Sequence, residues 1–473
     1  MGIQVETRVL GRMDEIKILT SIMRGAGDPK SLHDCERALL ELFQDIAGDI
    51  EEIVIQDRFH DESWQEEKVK AVKIGRRDLR KVGNRNFKIH TLSGRVVEVD
   101  TPYLSRKCEG KTRTRKGKKK HIRATGIFPA AVALGIGHHC TPAMLSELCR
   151  EVMACCSEEE ARQCLARRGI DLDIKTVWRL ANLHALDSIE SRDEMLASAD
   201  PDKEGEMSGR RVVSSVDGGR IRTRKAKKKC RIPKGKKRRG YTTPWKEPKL
   251  LIIYAIDSEG ERDRSIPPVI DGTMGNADAL ATLLVGYLRL FGVKAADKLV
   301  IICDGARWIW DRVNKIIEGV GIDPKKVTAI ADFYHAVEHL QDFADWSEKF
   351  CKQWVTKNRK LLRSGKIKKV IENIKAVAKG RNLKKMKTEL NYFIKNASKM
   401  KYAWFKRCRL PIGSGAVESC IRRVVNLRMK CPSTYWKEEN AEGFLHLRSL
   451  YKSGRWDAGF MQTLETQAQA VAS

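Results

Sequence analysis

The run KLVIIC at Lys298–Cys303 constrains the fold more than any other feature of this 473-residue chain. After Lys298 it is fully apolar, which is typical of a buried strand, and it ends at Asp304-Gly305. A carboxylate just past a buried apolar strand is costly unless it is solvated or holds a positive charge. The run therefore predicts a central strand, and it makes Asp304 a strong candidate for a metal ligand.

Further segments extend this strand into a sheet. In chain order they are a β-branched run at 211–224, an apolar strand at 250–256, an extended stretch around 266–270, a helix at about 277–291 and a short strand at 327–331 that ends at Asp332. This order predicts a mixed α/β sheet. Ligands gather at the strand ends of such sheets. Asp217, a carboxylate within the first apolar run, is therefore the second candidate ligand.

The charge of the chain indicates its partner. Lys and Arg number 91 against 61 Asp and Glu, a net charge of +30. Such an excess repels itself unless a polyanion neutralises it, and nucleic acid is the obvious one. The longest apolar run, at 127–137, is far shorter than the roughly 20 residues that span a bilayer, so we expect no membrane role. Because the N-terminal segment lacks a secretory signal, we expect a cytoplasmic protein associated with the nucleoid.

The 13 cysteines form no C-x-x-C pair, so we expect reduced thiols in an intracellular protein. His138, His139, Cys140 and Cys149 are a conceivable zinc set. Their spacing matches no standard finger, and we therefore interpret them as core or buried polar residues.

The N-terminal part is predicted to be mainly helical. Residues 1–60 carry 7 basic and 12 acidic residues, so this segment is net acidic. We therefore expect a packing or assembly module rather than the main DNA-binding surface. Their apolar spacing predicts an amphipathic helix that lies on the core or on a partner chain. Alternation between 87 and 103, around Ser93-Gly94, predicts a β-hairpin. The run 106–123 has 10 Lys or Arg in 18 residues and is either a solvated loop or an arm that contacts phosphate.

The segment from Ser157 predicts a helix-turn-helix. Glu160 lies at the capping-box position, Arg168-Gly169 forms a turn, and a second helix begins near Asp173. In a major-groove reader, residues near the start of the second helix contact DNA, here Lys175, Thr176, Trp178 and Arg179. A plain helical hairpin has the same spacing and is the alternative.

Phosphodiester chemistry gives the acids a common role. A pair of Mg²⁺ ions activates the attacking oxygen and stabilises the leaving oxygen, and Mg²⁺ prefers carboxylates to His or Cys. The best source of a third carboxylate is the segment 411–430, in which Ser414 can cap a helix and Glu418 lies in its first turn. Arg422 and Arg423 follow about one turn later, where they can hold DNA phosphate.

Two basic segments flank these acids. The loop 224–240 has 11 Lys or Arg in 17 residues. We interpret it as a clamp on the DNA strand that is cut, with Arg222, Lys228 and Arg238 as DNA contacts. A charge run that only keeps the protein soluble is the alternative. Residues 345–410 have 21 Lys or Arg against 4 Asp or Glu, with apolar residues at helical spacing. A basic helical insert beside a metal site is where DNA should lie.

Four blocks, VDGGRIR, ICDGARWIW, DFYHAVEHL and LPIGSGAVES, together with the closing YWKEENAEGFLHLRSLYKSGRWD, resemble those of bacterial insertion-sequence transposases of the Kra type, relatives of the Mutator-like elements. The resemblance covers about 211–457. It implies a ribonuclease-H-like catalytic core with an Asp-Asp-Glu triad, here Asp217, Asp304 and Glu418, and an all-helical insertion before the Glu. It also implies that Asp332 and His335, on the family's Asp-x-x-His motif, lie close to the active site.

Together these observations predict a multidomain α/β protein. Its segments are a helical module (1–85), a β-hairpin with a basic arm (86–125), a helical DNA-binding region (126–200), the first part of the catalytic core (208–340), a basic helical insertion (341–411) and C-terminal core helices (412–473). The expected function is metal-dependent cleavage at transposon ends and transfer of the 3′-OH into target DNA. The expected cofactor is two Mg²⁺ ions, which Mn²⁺ can replace. The protein is expected to act as a homodimer or a larger assembly on double-stranded DNA.

Two other functions stay open. One is a sequence-specific DNA-binding protein that descends from a transposase and has lost its chemistry, and the other is a hydrolytic nuclease of the same fold. Other acids could also replace members of the triad: Asp257, Asp271, Asp278, Asp332, Glu438, Glu439 and Glu442. We expect most of these to be turn or surface residues, and we expect Trp308 and Trp310 to pack rather than to stack on a base.

Overall fold

The computed structural model of the protein describes residues 2–106, 112–115, 118–121, 126–227, 231–232, 234–235, 240–305, 307–346, 352–378 and 384–472. The chain forms two compact units, residues 1–191 with 457–473, and residues 192–456. Helices and a mixed sheet give a mixed α/β protein, as predicted. Most of the predicted basic arm at 106–123, and both Lys228 and Arg238, lie outside the residues whose side chains are described.

The first unit begins with helices and continues with a small sheet. Its helices are α1 (Gly2–Gly11), α2 (Met13–Arg24), α3 (Pro29–His60), α4 (Glu62–Gly75), α5 (Pro129–Ala133), α6 (Pro142–Ala154), α7 (Glu158–Ala166) and α8 (Ile174–Ala197), the last of which ends in the second unit. Its strands are β1 (Leu79–His90), β2 (Val96–Arg106), β3 (Thr112–Arg115), β4 (Lys118–His121) and β5 (Gly126–Ile127).

The predicted hairpin is confirmed and is longer than expected. β1 and β2 pair antiparallel from Leu79–Arg106 to His90–Val96, and Gly94 in the turn has φ +89°, a conformation that favours glycine. Phe87 and Val99 on its inner face pack with Phe59 and Trp64 of the preceding helices. This packing forms the core of the first unit.

The long helix α3 matches the predicted amphipathic helix in part. Leu42, Ile46 and Ile53 are buried, whereas Leu40 is 72% exposed and Phe43 is 52% exposed. The predicted apolar face is thus only partly covered by the core.

The two helices predicted from Ser157 onward are present. Ser157 caps α7 by accepting a hydrogen bond from the Glu160 N–H (3.1 Å), and Gly169 turns the chain with φ +74°. Asp173 accepts from the N–H groups of Lys175 (2.9 Å) and Thr176 (3.1 Å) at the start of α8. Asx capping of this kind fixes where the second helix begins.

The second unit contains a five-stranded sheet and ten helices among its described residues. The strands are β6 (Arg211–Gly218), β7 (Ile221–Arg222), β8 (Lys225–Ala226), β9 (Tyr241–Thr242), β10 (Trp245–Lys246), β11 (Lys249–Ile256), β12 (Val269–Thr273), β13 (Lys298–Cys303) and β14 (Val327–Ala331). The helices are α9 (Ala277–Leu290), α10 (Arg307–Trp310), α11 (Val313–Val320), α12 (Phe333–Trp346), α13 (Lys352–Arg363), α14 (Ile367–Ala378), α15 (Lys384–Asn396), α16 (Tyr402–Arg407), α17 (Gly415–Ile421) and α18 (Glu438–Ser453).

Short turns and one last helix complete the chain. There are 3₁₀ turns at Val293–Ala295, Pro324–Lys326 and Ala397–Lys399 and a π-helical turn at Arg422–Asn426. α19 (Trp456–Ala472) follows, and its residues from Asp457 onward belong to the first unit. The predicted last segment, 412–473, therefore contributes to both units.

The five-stranded sheet has the order β12-β11-β6-β13-β14. β11 is antiparallel to both of its neighbours, and β6, β13 and β14 are mutually parallel. The central strand is β6, because its β-branched residues are buried on both faces. The predicted third strand, 266–270, is shifted by three residues in the structure.

Alternate side chains of the sheet pack on helices. Val212, Leu251 and Ile301 face α9 and α11, where Leu284 and Ile316 contribute to the same core. α17 and α18 contact the sheet at β6, β11 and β12. These contacts fix the strand ends from which the acidic residues project. Among the described helices, none combines the length and the hydropathy needed to cross a bilayer.

Candidate active site

Three aspartates lie at the carboxyl ends of three neighbouring parallel strands, Asp217 near the end of β6 and Asp304 and Asp332 directly after β13 and β14. Cys303 lies opposite Val216 of β6 and opposite Ala331 of β14. The next residue on each strand is an acid: Asp217, Asp304 and Asp332. The structure thus brings together the strand-end acids that the sequence singled out.

The electrostatics of Asp217 reflect its neighbours. Burial is the main cause that raises the pKa of Asp217 to about 6, and the carboxylates of Asp304 and Glu418 contribute to this rise. The Gly218 N–H, which donates to Asp217 Oδ1 at 2.6 Å, and His335 oppose this shift. The triad members therefore interact with one another, and their mutual repulsion favours binding of a cation between them.

Asp332 organises the backbone around the site. It is fully buried, and its Oδ1 accepts hydrogen bonds from the N–H groups of Tyr334 (2.5 Å) and His335 (3.0 Å) at the start of α12. Its Oδ2 accepts from the Ser414 N–H. Asp332 therefore joins the end of β14 to the turn that precedes α17.

Glu418 projects from α17 toward this group. One ligand atom each of Asp332, His335 and Glu418 lies within 4.8 Å of the other two. Glu418 is exposed. Ser414 occupies the N-cap position of α17, as predicted. Its hydroxyl makes no cap hydrogen bond to a helix N–H and instead lies 3.5 Å from Glu418 Oε1.

Two further side chains beside the acids bear polar atoms without hydrogen-bond partners among the described residues. They are His335 Nδ1 and the Tyr392 hydroxyl, both of which are buried. His335 Nδ1 lies 3.5 Å from a carboxylate oxygen of Glu338, which is beyond good hydrogen-bond geometry.

Tyr392 reaches the site from α15 of the basic helical segment. Burial raises the pKa of its phenol, and Asp332 and Asp304 raise it further. Its ring stacks on His339 with centroids 3.7 Å apart and covers Gly305. Sequence reasoning missed Tyr392, because nothing in its local spacing relates it to residues about ninety positions earlier.

The donor set suits a hard divalent cation. Asp332, His335 and Glu418 bring possible ligand atoms within 4.8 Å of one another, and Asp217 interacts electrostatically with Asp304, Glu418 and His335. Carboxylate oxygens are the ligands that Mg²⁺ and Mn²⁺ prefer. The pKa of Asp217 is raised first by burial and then by Asp304 and Glu418, so its negative charge is destabilised where it lies, and a bound cation would relieve this.

The rival acids are engaged elsewhere. Asp271 is fully buried and binds Tyr287 (2.7 Å), His446 (3.1 Å) and Arg192 (3.3 Å). Two of the others accept hydrogen bonds from backbone N–H groups: Asp257 from Glu259 and Glu261, and Glu442 from Met274. The remaining three pair with cationic side chains: Asp278 with Arg312, Glu438 with Lys246, and Glu439 with Lys437. Asp271 is thus a core residue rather than the turn or surface residue expected for most of this set.

The predicted DNA contacts have different environments. Lys175, Arg179 and Arg222 are exposed, and Thr176 is half-buried because its hydroxyl donates to Asp173 (2.6 Å). Arg422 is exposed within the π-helical turn after α17, whereas Arg423 is half-buried and bonds to Ser419 (3.4 Å).

The zinc set is not assembled. His138 Nε2 lies 2.5 Å from Asp187, and His139 bonds to the Lys88 carbonyl (2.9 Å) and stacks on Phe87. Cys140 and Cys149 are buried, and burial raises the pKa of the Cys140 thiol to about 12. His138, Cys140 and Cys149 are half-buried or buried, in agreement with the preferred interpretation, whereas His139 is exposed.

The two tryptophans after Asp304 pack as expected. Trp308 and Trp310 contact the core beneath the sheet, and Trp310 Nε1 donates to the Asp304 carbonyl at 3.0 Å. This bond fixes the backbone at the second acid of the predicted triad.

A comparison of the chain with models of protein families and with curated proteins found no match.

Proposed function

We propose that the protein is a DNA transposase that cleaves transposon ends and joins the freed 3′-OH to target DNA. The observation that carries the proposal is the convergence of Asp217, Asp304 and Glu418, separated by up to 201 positions in the sequence, on one edge of the sheet. The resemblance to Kra-type transposases, based on several ordered blocks, assigns these same three residues to the triad.

The fold is compatible with this activity. A five-stranded mixed sheet with acids at one edge supports a ribonuclease-H-like core. The helices α13–α16 lie between β14 and the helix that bears Glu418, which supports an all-helical insertion before the third acid. Such an insertion accounts for the 114 positions between Asp304 and Glu418.

The chain's own groups have distinct roles in this proposal. Asp217, Asp304 and Glu418 would hold divalent cations, which activate an attacking oxygen and stabilise the leaving oxygen when they are bound. Asp332 holds the turn before α17 in place through the Ser414 N–H. His335 would lie beside these cations, because one of its ring nitrogens is within 4.8 Å of ligand atoms of Asp332 and Glu418.

The charge distribution supports DNA as the substrate. The net charge of +30 is concentrated in the helical segment that follows the catalytic strands, and Arg422 is exposed four residues after Glu418. The exposed Lys175 and Arg179 on α8 suit recognition of the transposon ends. Pairing two ends requires at least a dimer, and a cytoplasmic protein bound to the nucleoid is the expected setting.

The first test is cleavage. Purified protein with Mg²⁺ or Mn²⁺ should cut labelled duplexes that carry the DNA flanking its gene. Asp217→Ala, Asp304→Ala and Glu418→Gln should abolish cutting and leave duplex binding nearly intact. Glu439→Gln is the matched control, because Glu439 is an exposed acid paired with Lys437. Normal cutting by all three triad variants would exclude the proposal.

The second test distinguishes transfer from hydrolysis. A pre-cut end with a free 3′-OH should become covalently joined to a target plasmid in the presence of Mg²⁺. Cutting without joining would instead identify a nuclease. Specific binding without either reaction would identify a DNA-binding descendant.

A further inference from the structure

An extended segment directly after Asp217 presents arginines on one face. Ile221 and Thr223 point inward and are 0% and 2% exposed, whereas Arg220, Arg222 and Arg224 alternate with them and are exposed. This alternation is the two-residue period of an extended strand. The three arginines therefore lie in a row on the surface.

The row is held rigidly on both sides. β7 pairs with β10, with Arg222 opposite Trp245. On the other side, the Trp436 N–H donates to the Arg222 carbonyl (3.0 Å), and the Arg224 N–H donates to the Trp436 carbonyl (2.7 Å). Because the backbone is bonded on both edges, the face from which the arginine side chains project is fixed before any ligand binds.

Aromatic rings lie beside these arginines. The guanidinium groups of Arg222 and Arg220 lie 4.8 and 5.4 Å from the centroid of Trp245, and that of Arg224 lies 5.4 Å from Tyr241. Trp245 is 46% exposed and Tyr241 is 45% exposed. Cation–π contacts at these distances orient the guanidinium groups over the rings.

The described part of the chain does not neutralise the charges of these arginines. Among the described residues, no carboxylate forms an ion pair with Arg220, Arg222 or Arg224. Arg455 of the same unit, by contrast, pairs with Glu206 at 2.6 Å. The surface therefore offers both free positive charge and exposed ring faces.

We propose that this surface, the arginine–aromatic ladder of Arg220, Arg222, Arg224, Trp245 and Tyr241, binds unpaired DNA next to the phosphate that is cut. The proposal rests on the proposed function and adds to it the state of the substrate. Arginines alone would suit duplex phosphates or an acidic peptide. Exposed aromatic rings add a stacking surface that only unpaired bases can use, since duplex bases are already stacked on each other.

The position of the ladder supports this assignment. Arg220 is three residues past Asp217, so their Cα atoms are at most about 11 Å apart. Arg224 is at most about 25 Å from Asp217 by the same limit. A strand whose phosphate lies at the acids would therefore place its neighbouring nucleotides along the ladder.

The test compares binding of unpaired and paired DNA by the full chain without divalent metal. The probes are fluorescent oligothymidylate and a blunt duplex. The double variant Trp245→Leu with Tyr241→Leu should bind oligothymidylate about tenfold more weakly and the duplex within about twofold of the wild type. The matched variant Trp245→Phe with Tyr241→Phe keeps the rings and should retain most of the affinity for oligothymidylate.

Two results would overturn the ladder. One is unchanged binding of oligothymidylate by the leucine variant. The other is an equal loss for both probes by the leucine variant, since phosphate contacts or misfolding would then explain it. Binding of DNA without metal does not depend on the three acids, whereas cleavage does. Failure of the ladder and failure of the transposase proposal therefore give different results.

Discussion

Asp332 accepts a hydrogen bond from the backbone N–H of Ser414, four residues before Glu418. The same carboxylate accepts two N–H groups at the start of α12. One buried side chain thus ties together the end of a strand, the start of one helix and the turn before another. The position of the third acid of the proposed triad depends on this connection.

Asp332→Asn should weaken both stability and activity. An amide nitrogen at the position of Oδ2 would face the Ser414 N–H and leave a buried donor unpaired, which costs roughly 1–3 kcal/mol. Thermal unfolding and metal-dependent cleavage are the measurements. Asp257→Asn is the control, because Asp257 accepts two N–H groups in an exposed turn. Equal effects of the two variants would contradict a special role for Asp332.

Asp217→Asn should stabilise the metal-free protein at about pH 7.5. The folded pKa of Asp217, about 6, lies above its ordinary value of 3.8, so the wild-type fold binds an extra proton between these values and loses stability as pH rises through 6. Removing the charge should therefore raise the unfolding free energy by about 1–3 kcal/mol at pH 7.5 and change it little at pH 4.

A bound divalent metal ion should reverse the sign of the change in stability that Asp217→Asn causes at pH 7.5. Excess Mn²⁺ should raise the melting temperature of the wild type at pH 7.5, less so below pH 6, where protons compete for Asp217. The Asn variant should show a much smaller shift. Stabilisation of the variant that is independent of pH would contradict the assigned pKa.

Gly305→Ala should impair cleavage through Tyr392. A Cβ at Gly305 would overlap the Tyr392 ring, so the ring or the backbone beside Asp304 has to move. The double variant with Tyr392→Ala removes the overlap and should recover part of the lost rate. Single-turnover cleavage by the two single variants and the double variant measures this coupling, and additive losses would contradict it.

Asp271→Ala should destabilise the second unit strongly. Burial raises the pKa of Asp271, but His446 and Arg192 together lower it by more than burial raises it. The net pKa therefore lies below its usual value, and the residue is charged in the core. Removing it leaves the buried Arg192 with Asp193 but without its buried partner, at a cost of about 3 kcal/mol. Chemical denaturation measures the change. Asp278→Ala, which breaks an exposed pair with Arg312, should have little effect.

Local sequence patterns predicted much of the fold. The apolar runs around Asp217, Asp304 and Asp332 became three parallel strands, and the capping residues Ser157 and Asp173 begin the two predicted helices. These features depend on neighbours within a few positions, so hydrophobic periodicity and side-chain capping determine them.

Other features were outside the reach of local patterns. Tyr392 lies beside Asp304, Asp271 is buried by Arg192 and His446, and the Ser414 hydroxyl faces Glu418 rather than a helix end. Leu40 and Phe43 follow the apolar stripe of α3 and still remain exposed. Each depends on residues far away along the chain.

The sequence by itself determined where strands end in acids and where positive charge accumulates, because both follow from the order of side chains. The tertiary structure alone decided which acids share a site. The parallel register of β6, β13 and β14 aligns Asp217, Asp304 and Asp332, and the bond between Asp332 and Ser414 brings Glu418 to them. The physical reason is that strand pairing and burial act between residues that are distant in the chain, and these contacts exist only once the chain has folded.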